Sequence, residues 1–122
     1  MSAAHPTMEP ALFNPDTGRL DAARIAHELN VPVAMIAEAI GRKALGVRKS
    51  FDASSLQSEL RRLYRIWVAL VDLYAGDKTN ARIFLNAPNR NLENRAPIEF
   101  IQNGDLAPLE LFVDAMSVRQ PA

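Results

Sequence analysis

Leu56, Leu60, Leu63, Trp67, Leu70 and Tyr74 follow one another at intervals of four, three, four, three and four residues. That spacing draws one apolar stripe down a helix of roughly five turns at 3.6 residues per turn. Burying six such side chains contributes roughly 10–15 kcal/mol of gross hydrophobic stabilisation, most of it offset by chain entropy. Other elements must wrap around this helix. Ser54 and Gln57 fit a capping box at its start, and Gly76 fits its stop.

Upstream, residues 1–18 are proline-rich and aperiodic and read as a loosely attached arm. Helical spacing then runs from Leu20 to Leu29, is broken by Asn30-Val31-Pro32, and resumes from Val33 to Ile40 before Gly41. A weaker helical segment spans Lys43 to Lys49, with Gly46 costing it ~1 kcal/mol relative to alanine. Downstream, Asp77–Asn86 reads as a helix with Ala81, Phe84 and Leu85 inward. A polar loop covers 87–96, a short helix opens at Pro97 and ends at Gly104, and a last helix runs from Pro108 to Met116. No segment alternates with period two. The expectation is a small all-α protein: an arm at 1–18, a helix-turn-helix-like region at 19–53, and at 54–122 the long spine helix with a short-helix subdomain.

At 122 residues and 48% hydrophobic, the chain can build a core. Without cysteine it can form neither a disulfide framework nor a thiolate metal site. No apolar run approaches the ~18 residues of a membrane span. The first twenty residues lack a basic start followed by an apolar run, so a signal peptide is not expected and the cytoplasm is. Net charge is zero, but it is unevenly spread: nine basic against five acidic residues from Arg19 to Arg65, then five against seven from Ile66 onward.

Catalytic patterns fail on inspection. Gly41 and Gly46 have the gap of a phosphate-binding loop, but Val47 stands where its lysine belongs. His5 and His27 are far apart with no ligand pattern around them. Asp105, Glu110 and Asp114 read as a solvated acidic face, with no neighbour to separate their pKa values into acid and base. No catalytic residue, metal site or cofactor is expected.

Two binding signatures remain. Two short helices and a third segment carrying Arg42, Lys43, Arg48 and Lys49 suit a degenerate helix-turn-helix contacting DNA phosphates. A helical hairpin kept soluble by its cations is the alternative. The second signature is the stretch Phe84-Leu85-Asn86-Ala87-Pro88-Asn89-Arg90-Asn91-Leu92-Glu93-Asn94-Arg95-Ala96-Pro97, followed by Gly104 and the apolar run Leu109 to Met116. Physically, Pro88 and Pro97 force a sharp turn between helices, Asn89 can cap it, and Phe84, Leu92, Phe100 and Ile101 share a small core.

That stretch resembles the signature of the toxin-binding domain shared by Xre, MbcA and ParS antitoxins, with MbcA the nearest likeness. The resemblance departs in having Phe84 for the usual tryptophan and Ser117-Val118 where a glycine often follows the last helix. It implies a type II antitoxin that sterically blocks a RES- or ParT-type, NAD-consuming toxin, acts within a hetero-oligomer as a homodimer, and binds its own operator. Contacts to the toxin are then expected at Arg90, Asn91, Glu93, Asn94 and Arg95 on the loop. Others are expected at Asp105, Glu110 and Asp114, and at Ser117, Val118 and Arg119 near the chain end. The rival readings are a stand-alone helix-turn-helix regulator without a toxin, and an interaction module that dimerises through the Trp67 stripe.

Overall fold

The computed structural model describes residues 9–119, with the side chains of Val118 and Arg119 outside that description. The described residues form seven helices and no strand. The helices are α1 (Ala22–Leu29), α2 (Val33–Ala39), α3 (Ala44–Lys49), α4 (Gln57–Leu73), α5 (Lys78–Asn86), α6 (Pro97–Gln102) and α7 (Leu106–Arg119). Short 3₁₀ turns stand at Pro10–Leu12, Ser54–Leu56 and Arg90–Leu92.

The long helix is α4, and it is buried over more than the stripe. Leu60, Leu63, Ile66, Trp67, Val68, Leu70 and Val71 are all buried, while Ser58, Arg61, Arg65 and Asp72 face outward. Leu56 is buried from the preceding 3₁₀ turn, and Tyr74 lies just past the helix end. These side chains are used up within the chain, so the Trp67 stripe is not a free face for dimerisation. Around α4 pack α5 and α7, while α2 bridges from α1 and α3 to α6. A single cluster of buried residues runs from Leu12 to Val113.

Two local expectations are corrected. The capping box at Ser54 does not form: no side chain caps this end of α4. Gln57 instead reaches sideways, accepting from the Leu20 N–H at 2.8 Å and donating to the Leu20 carbonyl at 2.9 Å. A glutamine amide has one donor and one acceptor end, so it completes both backbone bonds of an otherwise unpaired residue. The second correction concerns the arm. Its described part, residues 9–18, is docked rather than loose: Leu12 is buried, Phe13 pairs with Leu20 in an isolated bridge, and the Phe13 ring meets Tyr64 edge-on at 5.3 Å. Thr17, Asn14 and Arg19 all bond Asp52. Proline content marked an absence of helix, and the buried Leu12 supplies the anchoring that periodicity could not show. Residues 1–8, including His5, lie outside the described residues.

Helix ends otherwise follow local chemistry. Asp21 and Asp77 cap α1 and α5 by accepting from Arg24 and Asn80 N–H groups. Gly76 and Gly104 take φ of +88° and +72° after α4 and α6. The α7 helix starts earlier and runs further than Pro108 to Met116, because a proline is tolerated in a first turn, where N–H groups have no intrahelical partner.

Gly104 and Gly76 separate two effects. A Cβ at Gly104 would stand 3.3 Å from the Glu38 carbonyl oxygen, whereas one at Gly76 would meet open space. Gly76→Ala is expected to cost only the left-handed backbone penalty, about 1–2 kcal/mol. Gly104→Ala should cost more, since α2 must also move. Urea unfolding of both variants checks this, and equal losses would contradict it.

Candidate functional site

The surface at issue is built from α5, the loop 87–96 and α7. Tyr74, Phe84 and Phe112 form a row of rings, with centroids 6.0 Å and then 5.8 Å apart, the second pair stacked. The row ties α7 to α5. The Phe84 ring that replaces the expected tryptophan thus sits at its centre, half-buried.

The loop is closed on itself by Asn89. Its side chain accepts from the Asn91 N–H at 2.8 Å, its carbonyl accepts from Leu92 and Asn94, and its N–H donates to the Arg95 carbonyl. Glu93 and Asn94 occupy left-handed backbone at φ 59° and 61°. Leu92 is buried and anchors the loop from within. The Arg95 guanidinium lies 4.2 Å from the Phe100 ring centre and 3.8 Å from Glu99, whose carboxylate accepts from the Ala96 N–H. Arg95 is therefore engaged in holding α6, and Arg90, Asn91, Glu93 and Asn94 are the exposed members of the set.

The predicted residues on α7 divide. Asn91 shares a shallow groove with Phe112, Ala115 and Met116 on one side of the helix. Glu110 and Asp114 line a separate hollow on the other side, with Arg65, Ile66 and Ala69 of α4. Glu110 is not a free charge: Arg62 donates to both its oxygens, at 3.0 and 2.6 Å. Those bonds hold the Glu110 carboxyl below the usual carboxylate range and raise the Arg62 guanidinium. Asp105, Asp114 and Ser117 are exposed. The side chains of Val118 and Arg119 lie outside the described residues.

Of the four cations assigned to DNA, Arg42 donates to the Ser55 carbonyl and to Glu59 at 3.0 and 3.3 Å, pinning the α2–α3 turn to the start of α4. Lys43, Arg48 and Lys49 are exposed, next to a Leu45 that is 74% exposed. Among the described residues no group of three or more His, Asp or Glu could hold a metal ion.

A cluster that sequence reasoning missed lies between the N-terminal part and α5. The Trp67 indole donates to Glu28 at 3.2 Å, Lys78 bridges Glu28 at 3.0 Å and Glu9 at 2.7 Å, and Arg82 donates to the Glu28 carbonyl at 2.7 Å. Glu9 is only 3% exposed. Burial pushes the Glu28 carboxyl up, but hydrogen bonds from Lys78 and Trp67, with the lysine's charge, outweigh it and leave it below the ordinary range. Hydrogen bonds to Glu9 and Glu28 raise Lys78. The one available signal was the tryptophan itself, since a buried indole N–H needs an acceptor.

With this geometry in place, the comparisons can be set against it. Residues 69–117 match the family model of the antitoxin Xre/MbcA/ParS C-terminal toxin-binding domain. The matched stretch begins in the last turns of α4, takes in α5, the loop and α6, and ends within α7. It therefore contains the ring row, the closed loop and the Asn91–Met116 groove. No curated protein and no solved structure matches the chain.

The Glu28 cluster has a pH signature. Glu28 titrates lower folded than unfolded, so its contribution is full above the ordinary glutamate value of about 4.3 and fades as pH falls through the folded value. Lys78 behaves oppositely, its contribution being present below the ordinary lysine value of about 10.4 and lost as pH rises through the raised one. Glu28→Gln should flatten the acid side of the stability profile and leave the region above pH 8 with its lysine-dependent decline weakened. Thermal melts followed by Trp67 fluorescence across pH read both limbs, and an acid limb as steep as wild type counts against this account.

Proposed function

We propose that this protein is the antitoxin of a type II toxin–antitoxin pair and that it silences a RES- or ParT-type, NAD-consuming toxin by covering its substrate cleft. The observation that carries the reading is the match to a toxin-binding domain over the very segment that presents an exposed loop and an open groove. Blocking in this proposal is steric.

In this reading the toxin meets Arg90, Asn91, Glu93 and Asn94 on the loop, with Asp105, Asp114 and the segment Ser117-Val118-Arg119 at its border. A cleft that binds a dinucleotide's phosphates is electropositive, and exposed carboxylates suit its rim. Arg95 and Glu110 support the surface from within, being held by Phe100 and Arg62. The α2–turn–α3 unit acts as a helix-turn-helix for autoregulation, with Lys43, Arg48 and Lys49 on phosphates and Arg42 holding the turn. A helix of six residues reaches only about 9 Å at 1.5 Å per residue, so specific binding requires two copies on paired half-sites. Homodimerisation and cytoplasmic action belong to the same proposal.

Co-expression with the product of the neighbouring reading frame tests the reading, with growth and cellular NAD followed together. The expected outcome is growth arrest and NAD loss from the neighbour alone, both reversed by this chain in a stable complex. A harmless neighbour that binds nothing would overturn it and leave the stand-alone regulator to be examined through salt-dependent binding to upstream DNA.

A further inference from the structure

The last helix, α7, carries apolar residues all round, as a fully buried helix does. Yet among the described residues only one side of it is covered. Leu106, Leu109 and Val113 face the core, and Phe112 and Met116 are half-buried against the ring row and the groove. Ala107, Leu111 and Ala115 share the opposite side, where Leu111 is 72% exposed. Steps of four residues place these three in a line along the helix. The line is continuous with the groove that Ala115 also borders, beside Asn91.

From this geometry we infer that the toxin docks mainly by an apolar contact, with Leu111 seated in a hydrophobic pocket of the partner and Ala107 and Ala115 lying flat on either side. This rests on the antitoxin reading and specifies its surface. Three observations select the toxin as occupant. The whole line lies inside the matched toxin-binding segment, residues 69–117. Glu110, the acidic residue nearest Leu111 in sequence, is turned away and neutralised by Arg62. The exposed carboxylates left beside the line are Asp105 and Asp114, which complement a partner pocket rimmed by cations, as around a nucleotide cleft. Small residues flanking one large apolar anchor allow close approach around a desolvated centre, where binding energy concentrates.

The test is affinity of the full-length chain for the purified toxin encoded by the neighbouring frame, by titration calorimetry at 50 and 300 mM salt. Leu111→Asp is expected to weaken binding at least 30-fold while the free protein's melting temperature stays unchanged, the site being exposed. Leu45→Asp, at an exposed position on α3 outside the matched segment, serves as the control and should change affinity less than threefold. Asp114→Asn should cost less than tenfold and lower the salt dependence. Retained affinity in Leu111→Asp with large losses in Asp114→Asn would overturn the inference in favour of a charge-driven contact. A free wild-type dimer that Leu111→Asp converts to monomer, with toxin affinity intact, would overturn it by making the line a self-association face. Failure of the wild-type chain to bind the toxin would instead overturn the antitoxin reading beneath it.

Discussion

Burying the Trp67 indole inside a helical core creates a sequence of obligations that most of the fold answers. An indole N–H out of water needs an acceptor, and Glu28 of α1 supplies it. A half-buried carboxylate is itself costly without a cation, and Lys78 at the start of α5 meets that need. The lysine then has a second acidic partner in Glu9, which fixes the segment ahead of Leu12 against α5. Arg82 closes the set from one turn further along α5, donating to the Glu28 carbonyl with its guanidinium 5.8 Å from the Trp67 ring centre. Because each partner lies on a different element, the cluster specifies how α1, α4 and α5 meet more than it adds net stability.

The same cluster bears on how the chain is divided. A boundary near residue 53 separates two binding signatures in the sequence, but the packing does not break there. Gln57 completes the backbone bonds of Leu20, Phe51 accepts from the Ala22 N–H, and the α2 carbonyls of Glu38 and Ala39 lie against Gly104 between α6 and α7. The α2 helix is thus shared: its last turn leads into the segment that presents Lys43, Arg48 and Lys49, and the same turn sets the Glu38 and Ala39 carbonyls against Gly104.

Much of the architecture was legible because it rests on periodicity and on backbone chemistry. The α4 stripe, the stops at Gly76 and Gly104 and the proline-bounded loop all express local rules that one sequence carries in full. The motif around Pro88-Asn89 was equally legible, since an asparagine that closes its own loop leaves a fixed pattern. What stayed hidden depends on pairs far apart in the chain. Gln57 looked like a cap because Ser54 precedes it, and only the docked Leu20 shows where its amide goes. Glu28 and Lys78 entered only the charge totals, and Leu12 stood within a proline-rich tract without a periodic pattern. Each of these was decided by tertiary neighbours that spacing does not encode.

The misreading of the acidic helix is the most instructive of these. Glu110 and Asp114, four residues apart, were expected to share one solvated face, and they do share a side of α7. But a charge's meaning depends on whether a partner stands within reach, and Arg62 does so for Glu110 and not at comparable range for Asp114. Once Glu110 is neutralised, the exposed surface of α7 is dominated by methyl and isobutyl groups rather than carboxylates. Water gains nothing from contact with that line, and the chain's own core faces the other way. A helix that is apolar on every side and, among the described residues, covered on only one leaves apolar surface in water that burial would stabilise.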